Sequence, residues 1–467
     1  MSWSLALSMA EVAWTATAVI YLVLQRRSPV ATVAWSLALA LMPLIGIPIY
    51  VLFGPRRIAR KRLRCARARA NVQSSVHARE VRACDAAIRH PLARLALELG
   101  EAPPLLAHVT LCDGPGAYES ILEAIRGATH HVHLEYFIFE PGIVAQRLLD
   151  ALVDARKRGV EVRLLVDAIG SWSLSRRFLQ PLRDAGGVVA AFNEASFASF
   201  QPWYVNFRTH RKIVVVDGRI GFTGSMNVDD LHDETLSGDA SWRDLHVRLE
   251  GDAVAALQLV FLENWIFSSP ERPTGPEYLP KPAAQGSCPV QIVASGPDFD
   301  SFAIYGQWLA AIASSRSRAW VLTPYFVPDE PMLAALVSAA LRGVDVLLVV
   351  PEASDHRTVD AAARSYVPAL RKAGARVLRL GRRRLHAKVL VVDDDFASVG
   401  TLNMDNRSFR LNFEVTASLF DRTVVESVAA RVSAVAADSS AVVHPRDDER
   451  WTERFAQSGA RLLSPLL

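Results

Sequence analysis

The stretch Arg158-Gly159-Val160-Glu161-Val162-Arg163-Leu164-Leu165-Val166 is answered later in the chain by Arg342-Gly343-Val344-Asp345-Val346-Leu347-Leu348-Val349. Upstream of each, Ile121-Leu122-Glu123-Ala124-Ile125 and Tyr136-Phe137 correspond to Leu309-Ala310-Ala311-Ile312 and Tyr325-Phe326. Downstream, each unit runs into Leu-Arg-x-Ala-Gly, at Leu182 and again at Leu370. Continuous Val/Leu runs between amphipathic helices are the pattern of strands buried on both faces of a sheet. The order helix, strand, helix, strand, helix therefore occurs twice. It predicts an α/β fold of two pseudo-symmetric lobes with helices on mixed sheets, over 105–270 and 290–467, joined by a Pro-rich linker over 271–289.

Each lobe ends in one constellation. The first reads His210-Arg211-Lys212, then Asp217, then Gly224-Ser225-Met226-Asn227; the second reads His386-Ala387-Lys388, then Asp393, then Gly400-Thr401-Leu402-Asn403. Both fit H-x-K-x4-D-x6-G-[ST]-x-N, and two matches at equivalent places of a repeat make a specific signal. On a strand, His and Lys two apart share a face. Bringing the lobes together gathers two histidines, two lysines, two hydroxyls and two amides, a set that suits a phosphodiester. Lys212, Lys388, Asn227 and Asn403, with Ser225 and Thr401, would bind the non-bridging oxygens. One of His210 and His386 would attack phosphorus while the other protonates the departing alkoxide. Lysine charge takes the place of a divalent ion in this reading, so no metal and no cofactor is expected. A nucleophilic imidazole needs an acceptor on its other nitrogen. Asp244 in Trp242-Arg243-Asp244 and Glu414 in Asn412-Phe413-Glu414 are the candidates. Asp217 and Asp393 belong to the catalytic motif by pattern, but their place at strand ends before turns favours a structural Asx role.

Of 467 residues, 51% are hydrophobic and 21% charged, which excludes global disorder. The net charge of +4 is unevenly placed, with Arg and Lys crowded over Arg56–Arg69. Before that cluster stand two apolar runs, Trp3–Leu24 and Val30–Phe53, each about the 20 residues that a spanning helix needs. The turn Gln25-Arg26-Arg27-Ser28-Pro29 makes them a transmembrane helical hairpin over 1–56, followed by a basic juxtamembrane helical linker over 57–104. A signal peptide fits poorly, since no basic segment precedes the first run. The positive-inside rule puts the carboxy-terminal part in the cytoplasm, and the basic cluster either sets topology alone or also holds anionic lipid head groups. Glu11 lies inside the first run near the head-group level. Pro43, Gly46 and Pro48 predict a kink or an incomplete crossing in the second. Cys65, Cys84, Cys112 and Cys288 lack metal-ligand spacing and read as reduced thiols. His130, His131 and His133 look like a metal cluster but, with only Glu135 nearby, read better as a strand approaching the site. The aromatic loop Phe192–Phe207, with Phe197, Phe200, Trp203 and Tyr204, packs as a lid or enters the lipid interface.

The paired motifs resemble those of the phospholipase D superfamily, and the chain as a whole is similar to bacterial cardiolipin synthases. The resemblance includes Arg27-Ser28-Pro29, Ala34-Trp35, Pro43-Leu44-Ile45-Gly46, Asn206–Lys212, Ser295-Gly296-Pro297-Asp298, Thr323–Pro328 and Arg407-Ser408-Phe409. It implies phospholipase D-like lobes and a metal-free reaction through a phosphohistidine. Two phosphatidylglycerols then give cardiolipin and glycerol, with His210 as nucleophile and His386 as general acid/base. Anionic phospholipid and the bacterial inner membrane are the implied partners, and nucleic acid is not. Thr209 departs from the expected Asn before the first His. A hydrolytic phospholipase D would use the same residues with water as acceptor. A nuclease of the same superfamily would take the basic segment Arg56–Arg69 as its nucleic-acid footprint, which the position of that segment against the membrane argues against, and a decayed scaffold would have lost part of a motif.

Overall fold

The computed structural model describes residues 3–24, 29–42, 46, 50, 84–193, 207–273, 275–281, 286–297, 302–441, 451–462 and 464. They fall into two units, residues 3–24, 29–42, 46 and 50 in one and the described residues from 84 onward in the other.

The first unit contains helices Trp3–Leu24 and Pro29–Leu41. They pack through Ala18, Leu22 and Leu39, with Trp35 and Tyr50 against them. The second helix stops just ahead of Pro43, as a helix does where proline lies beyond. Among the described residues no helix is long and apolar enough to cross a membrane. The side chain of Glu11, residues 25–28, Pro43, Pro48, the Arg56–Arg69 cluster with Cys65, and Phe197, Phe200, Trp203 and Tyr204 lie outside the described residues.

The second unit is built on one mixed sheet, 15-stranded among the described residues. Its first half runs Val188–Phe192, Glu161–Asp167, His131–Tyr136, Ile213–Val216, Ile220–Gly224, His246–Gly251 and Leu105–Cys112. The second half continues Cys288–Ser295, Glu414–Leu419, Phe396–Gly400, Val389–Val392, Arg318–Leu322, Asp345–Pro351, Arg376–Leu380 and Ser439–Ala441. The halves join where Leu105 and Ala107 pair antiparallel with Val290 and Cys288. In each half the strand read from the repeat lies parallel to both neighbours. Ile213 opposite Glu135 is matched by Val389 opposite Leu322, so the halves share one register.

Helices Gly114–Arg126 and Ile143–Lys157 bury Ile121, Leu122, Leu148 and Leu152 on Val132, Leu134, Val162 and Val214. Trp308, Ile312 and Leu336 pack on Val321, Leu348 and Leu390 in the equivalent core. Helix Ala253–Ser268 covers the other face of the first half and is buried nearly all round. The described part of the predicted juxtamembrane linker packs into the second lobe. Leu92 and Ala96 join that core, and the Gln307 and Gln291 amides donate to the carbonyls of Leu92 (3.1 Å) and Ala102 (2.9 Å).

Candidate active site

The motif strands begin at Ile213 and Val389, so His210 with Lys212 and His386 with Lys388 lie on the approach to a strand and not on it. What holds these approaches is the other lobe. Phe413 N donates to Arg208 O and His210 N to Phe413 O, both at 2.9 Å. Reciprocally, Arg384–Leu385 pairs with Trp242–Arg243, and His386 N donates to Arg243 O at 2.8 Å. In each approach the lysine turns back on its own histidine. Lys212 Nζ donates to His210 O (2.8 Å) and Lys388 Nζ to His386 O (2.7 Å).

The same cross-lobe pairing decides which carboxylate serves which histidine. His210 Nδ1 is 2.9 and 3.1 Å from the two oxygens of Glu414, in the second lobe. His386 Nδ1 is 2.8 Å from Asp244 Oδ1, in the first. Ser225 Oγ donates to Asp244 Oδ1 at 2.6 Å, and Thr401 Oγ1 donates to Glu414 Oε2. Those two hydroxyls were expected on substrate. They stand behind the histidines instead and hold the carboxylates, with their protons committed there. Asn227 takes a bond from Ile138 N (3.3 Å) on its oxygen. The amide nitrogens of Asn227 and Asn403 carry no hydrogen bond among the described residues and remain donors for a ligand.

Burial sets the charge states. It pulls His210 down to about 4, against the pull of Glu414 and with the help of Lys212. His386 is pulled well below its ordinary value by burial and then by Lys388. For Glu414, burial pushes the carboxyl up, but His210, Lys212 and the Thr401 hydroxyl together hold it below its ordinary value; His232 and His386 together do the same for Asp244. Each imidazole is thus neutral at pH 7, with Nδ1–H on a carboxylate and a lone pair on Nε2. Burial also draws Lys388 down to about 7 and Lys212 well down, the latter aided by Lys388. Two buried lysines beside each other await an anion, and a bound phosphodiester would raise both.

Asp217 and Asp393 lie away from this site, at the far ends of their strands. Asp217 accepts from the backbone N–H of Thr129, His130 and His131 at 2.8–2.9 Å. Asp393 accepts likewise from Arg316, Ser317 and Arg318. Both sit at positive φ, 54° and 48°, where Asp is tolerated. Their place in the motif is a consequence of the turn, which corrects a catalytic assignment. Burial pushes the Asp217 carboxyl up, and the backbone N–H groups outweigh it and hold it below its ordinary value. Because the folded value is depressed, its stabilisation is full above the unfolded pKa near 3.9 and disappears as pH falls through the folded value. Asp217→Ala is expected to cost roughly 2–3 kcal/mol at pH 7. Thermal melts of the detergent-solubilised protein should show that deficit shrinking at low pH.

His131 and His133 face the Gln258 amide on helix Ala253–Ser268, 3.2 Å from its oxygen. Burial keeps both neutral, His131 at about 4. Several groups were not assigned to the site from the sequence. Phe137 sits under Lys212 Nζ (5.4 Å) and against the His210 ring (5.1 Å). Thr209 donates to buried Glu135, and its N–H bonds Asp167 at 3.0 Å. His232 Nδ1 is 2.5 Å from Asp244 Oδ2. His232, Asp244 and His386 form the one group among the described residues with metal-compatible donor spacing; its closest atoms are those already joined in hydrogen bonds.

A duplicated α/β lobe brings two His/Lys/Asn sets face to face, each histidine held by a carboxylate, an arrangement suited to chemistry at a phosphodiester. Residues 121–232 and 308–435 match the family described as cardiolipin synthase, PLD-like domain, and 13–55 match phospholipase D-nuclease N-terminal. A cardiolipin synthase of Geobacillus sp. (strain WCH70) is 38% identical over 460 residues, 95% of this chain and 90% of that protein. Cardiolipin synthase 2 of Bacillus anthracis is 38% identical over 458 residues, 95% of this chain and 88% of that one. The chain belongs to the cardiolipin synthase family. The crystal structure of phosphatidylserine synthase from Haemophilus influenzae Rd KW20 shares the fold, with TM-score 0.62 at 14% identity over 80% of this chain and all of that one.

Proposed function

We propose that the chain transfers a phosphatidyl group from one phosphatidylglycerol to another, giving cardiolipin and glycerol. The observation that carries this is the reciprocal pairing of His210 with Glu414 and His386 with Asp244. It makes two neutral imidazoles with unoccupied Nε2 atoms beside two buried lysines. In the first step His386 is the imidazolium, protonated on Nε2 once the anionic phosphodiester is bound beside it; His210 Nε2 bonds to phosphorus, the P–O bond to glycerol breaks, and the Nε2 proton of His386 passes to the departing alkoxide. In the second, His386 takes the proton of the acceptor's terminal hydroxyl, whose oxygen bonds to phosphorus as the N–P bond breaks. Lys212, Lys388, Asn227 and Asn403 hold the non-bridging oxygens through both steps.

The chain is further organised as an N-terminal hairpin over 1–56 that seats the enzyme in the bacterial inner membrane, with the lobes on the cytoplasmic side. Support comes from the exposed apolar side chains Val12, Ile20, Val23, Leu37 and Leu41 of the helix pair, which suit lipid and not water. The domain limits 57–104, 105–270, 271–289 and 290–467 accompany that arrangement.

Membranes carrying the protein, incubated with labelled phosphatidylglycerol, are expected to yield cardiolipin and free glycerol in equal amounts on lipid separation. Phosphatidic acid without cardiolipin would make water the acceptor and overturn the proposal.

A further inference from the structure

We infer that His232 is a positioning residue of this site, acting on His386 through the carboxylate they share. The inference rests on the acid–base role of His386 proposed above. Both histidine–carboxylate pairs have a hydroxyl bonded to the carboxylate, and a third imidazole stands only at Asp244. Glu414 gives both oxygens to His210, with Thr401 and the Asn412 amide (3.3 Å) as its other donors. Asp244 divides itself: Oδ1 takes Ser225 and His386, and Oδ2 takes His232 at 2.5 Å. At the motif-equivalent place in the second lobe stands Ser408.

His232 is held as a placed group would be. It ends the single turn Asp230–His232, capped by Asp229, whose side chain accepts from Leu231 N at 2.9 Å. Tyr118 Oη holds the segment leading into that turn, 2.7 Å from Asn227 O and 3.2 Å from the carbonyl of the capping Asp229. The ring is 2% exposed and lies 5.1 Å from His386 and 5.5 Å from Trp242, which itself meets His386 edge-on at 4.6 Å.

The chemical consequence follows from shared charge. A carboxylate that already accepts a bond on its second oxygen stabilises the His386 imidazolium less than an undivided one does. His386 is thereby the stronger acid toward a glycerol alkoxide, while His210 has both oxygens of Glu414 behind its attack and no second imidazole competing for them. The other titratable groups facing this cluster are Lys388 and Lys212 from the motif approaches, His246 from strand His246–Gly251 and Tyr118 from helix Gly114–Arg126. None of them bonds Asp244. The sign does not depend on the protonation of His232. Whether a neutral donor or a cation is removed from Asp244, His386 becomes harder to deprotonate.

The experiment is the pH profile of cardiolipin formation from phosphatidylglycerol in mixed micelles, using full-length wild type, His232→Phe and His232→Gln. Phe keeps a ring between Trp242 and His386 but has no donor, whereas Gln keeps a donor for Asp244. The His232→Phe profile is expected to move up by about one pH unit, with kcat at neutral pH down roughly tenfold and KM unchanged. His232→Gln should return the profile to that of wild type. Equal losses in both variants at every pH, with the profile unmoved, would overturn the proposal and leave His232 a packing residue. Should the Phe variant fail to fold, His232→Ala gives the same reading: an upward shift supports the proposal and an unmoved profile overturns it. Absence of cardiolipin from the wild type, or wild-type rates in His386→Ala, would instead fail the acid–base reading beneath it.

Discussion

His210→Ala is expected to lower cardiolipin formation by at least about 10⁴-fold, because the nucleophile has no neighbour able to replace it. Glu414 behind it is an anion without access to phosphorus, and Lys212 is turned onto the His210 carbonyl. Quenching a reaction with phosphorus-labelled phosphatidylglycerol should trap label on wild-type protein in an acid-labile, alkali-stable bond and none on His210→Ala. The His386→Ala protein should be as slow overall but should still accumulate some label when the leaving group is a good one, since attack and proton donation are then separable. Label on His210→Ala at wild-type levels would remove His210 from the nucleophile's role.

Glu414→Gln is expected to lose about 10³-fold, the scale on which triad carboxylates act by fixing the imidazole tautomer and stabilising its cation. The amide is isosteric but uncharged. It cannot favour the imidazolium, and its NH2 competes with Nδ1–H for the place it must accept. The pairing across lobes makes a sharper statement than the loss alone. Adding Glu414→Gln to His210→Ala should cost nothing further, because the carboxylate acts only through that histidine. Adding Asp244→Asn, which lies in the same lobe as His210, should couple far less to it. Kinetics of the four proteins in each cycle decide this. Strong coupling of His210 to Asp244 and none to Glu414 would mean that the lobes meet in a different register.

These expectations separate what was legible in the linear chain from what was not. The repeat was legible because strands buried on both faces are apolar in continuous runs, as in Leu164–Val166 and Val346–Val349, and helices between them must be amphipathic. The histidines and lysines proposed for catalysis were legible because chemistry at a phosphodiester demands those side chains at short, fixed spacing. Asp217 and Asp393 share that spacing for another reason: a turn at positive φ whose carboxylate collects three backbone N–H groups. A motif records both demands without distinguishing them. Ser225 and Thr401 show the same limit, since a hydroxyl that orients a carboxylate and one that binds substrate are the same letter in the chain.

By itself the sequence determined the α/β class, the doubling of the lobe, and the set of residues that converge. Each of these depends on local periodicity or on spacing within a few residues. Only the tertiary structure decided that Glu414 serves His210 across 204 residues and Asp244 serves His386 across 142. It alone brought His232 to the second oxygen of Asp244. Those partnerships follow from the backbone pairing of 208–210 with 413 and of 384–387 with 242–243, where the edge of one lobe meets the other. Such a contact pairs extended segments whose own sequences are free of periodicity, so nothing along the chain marks which partner each will find.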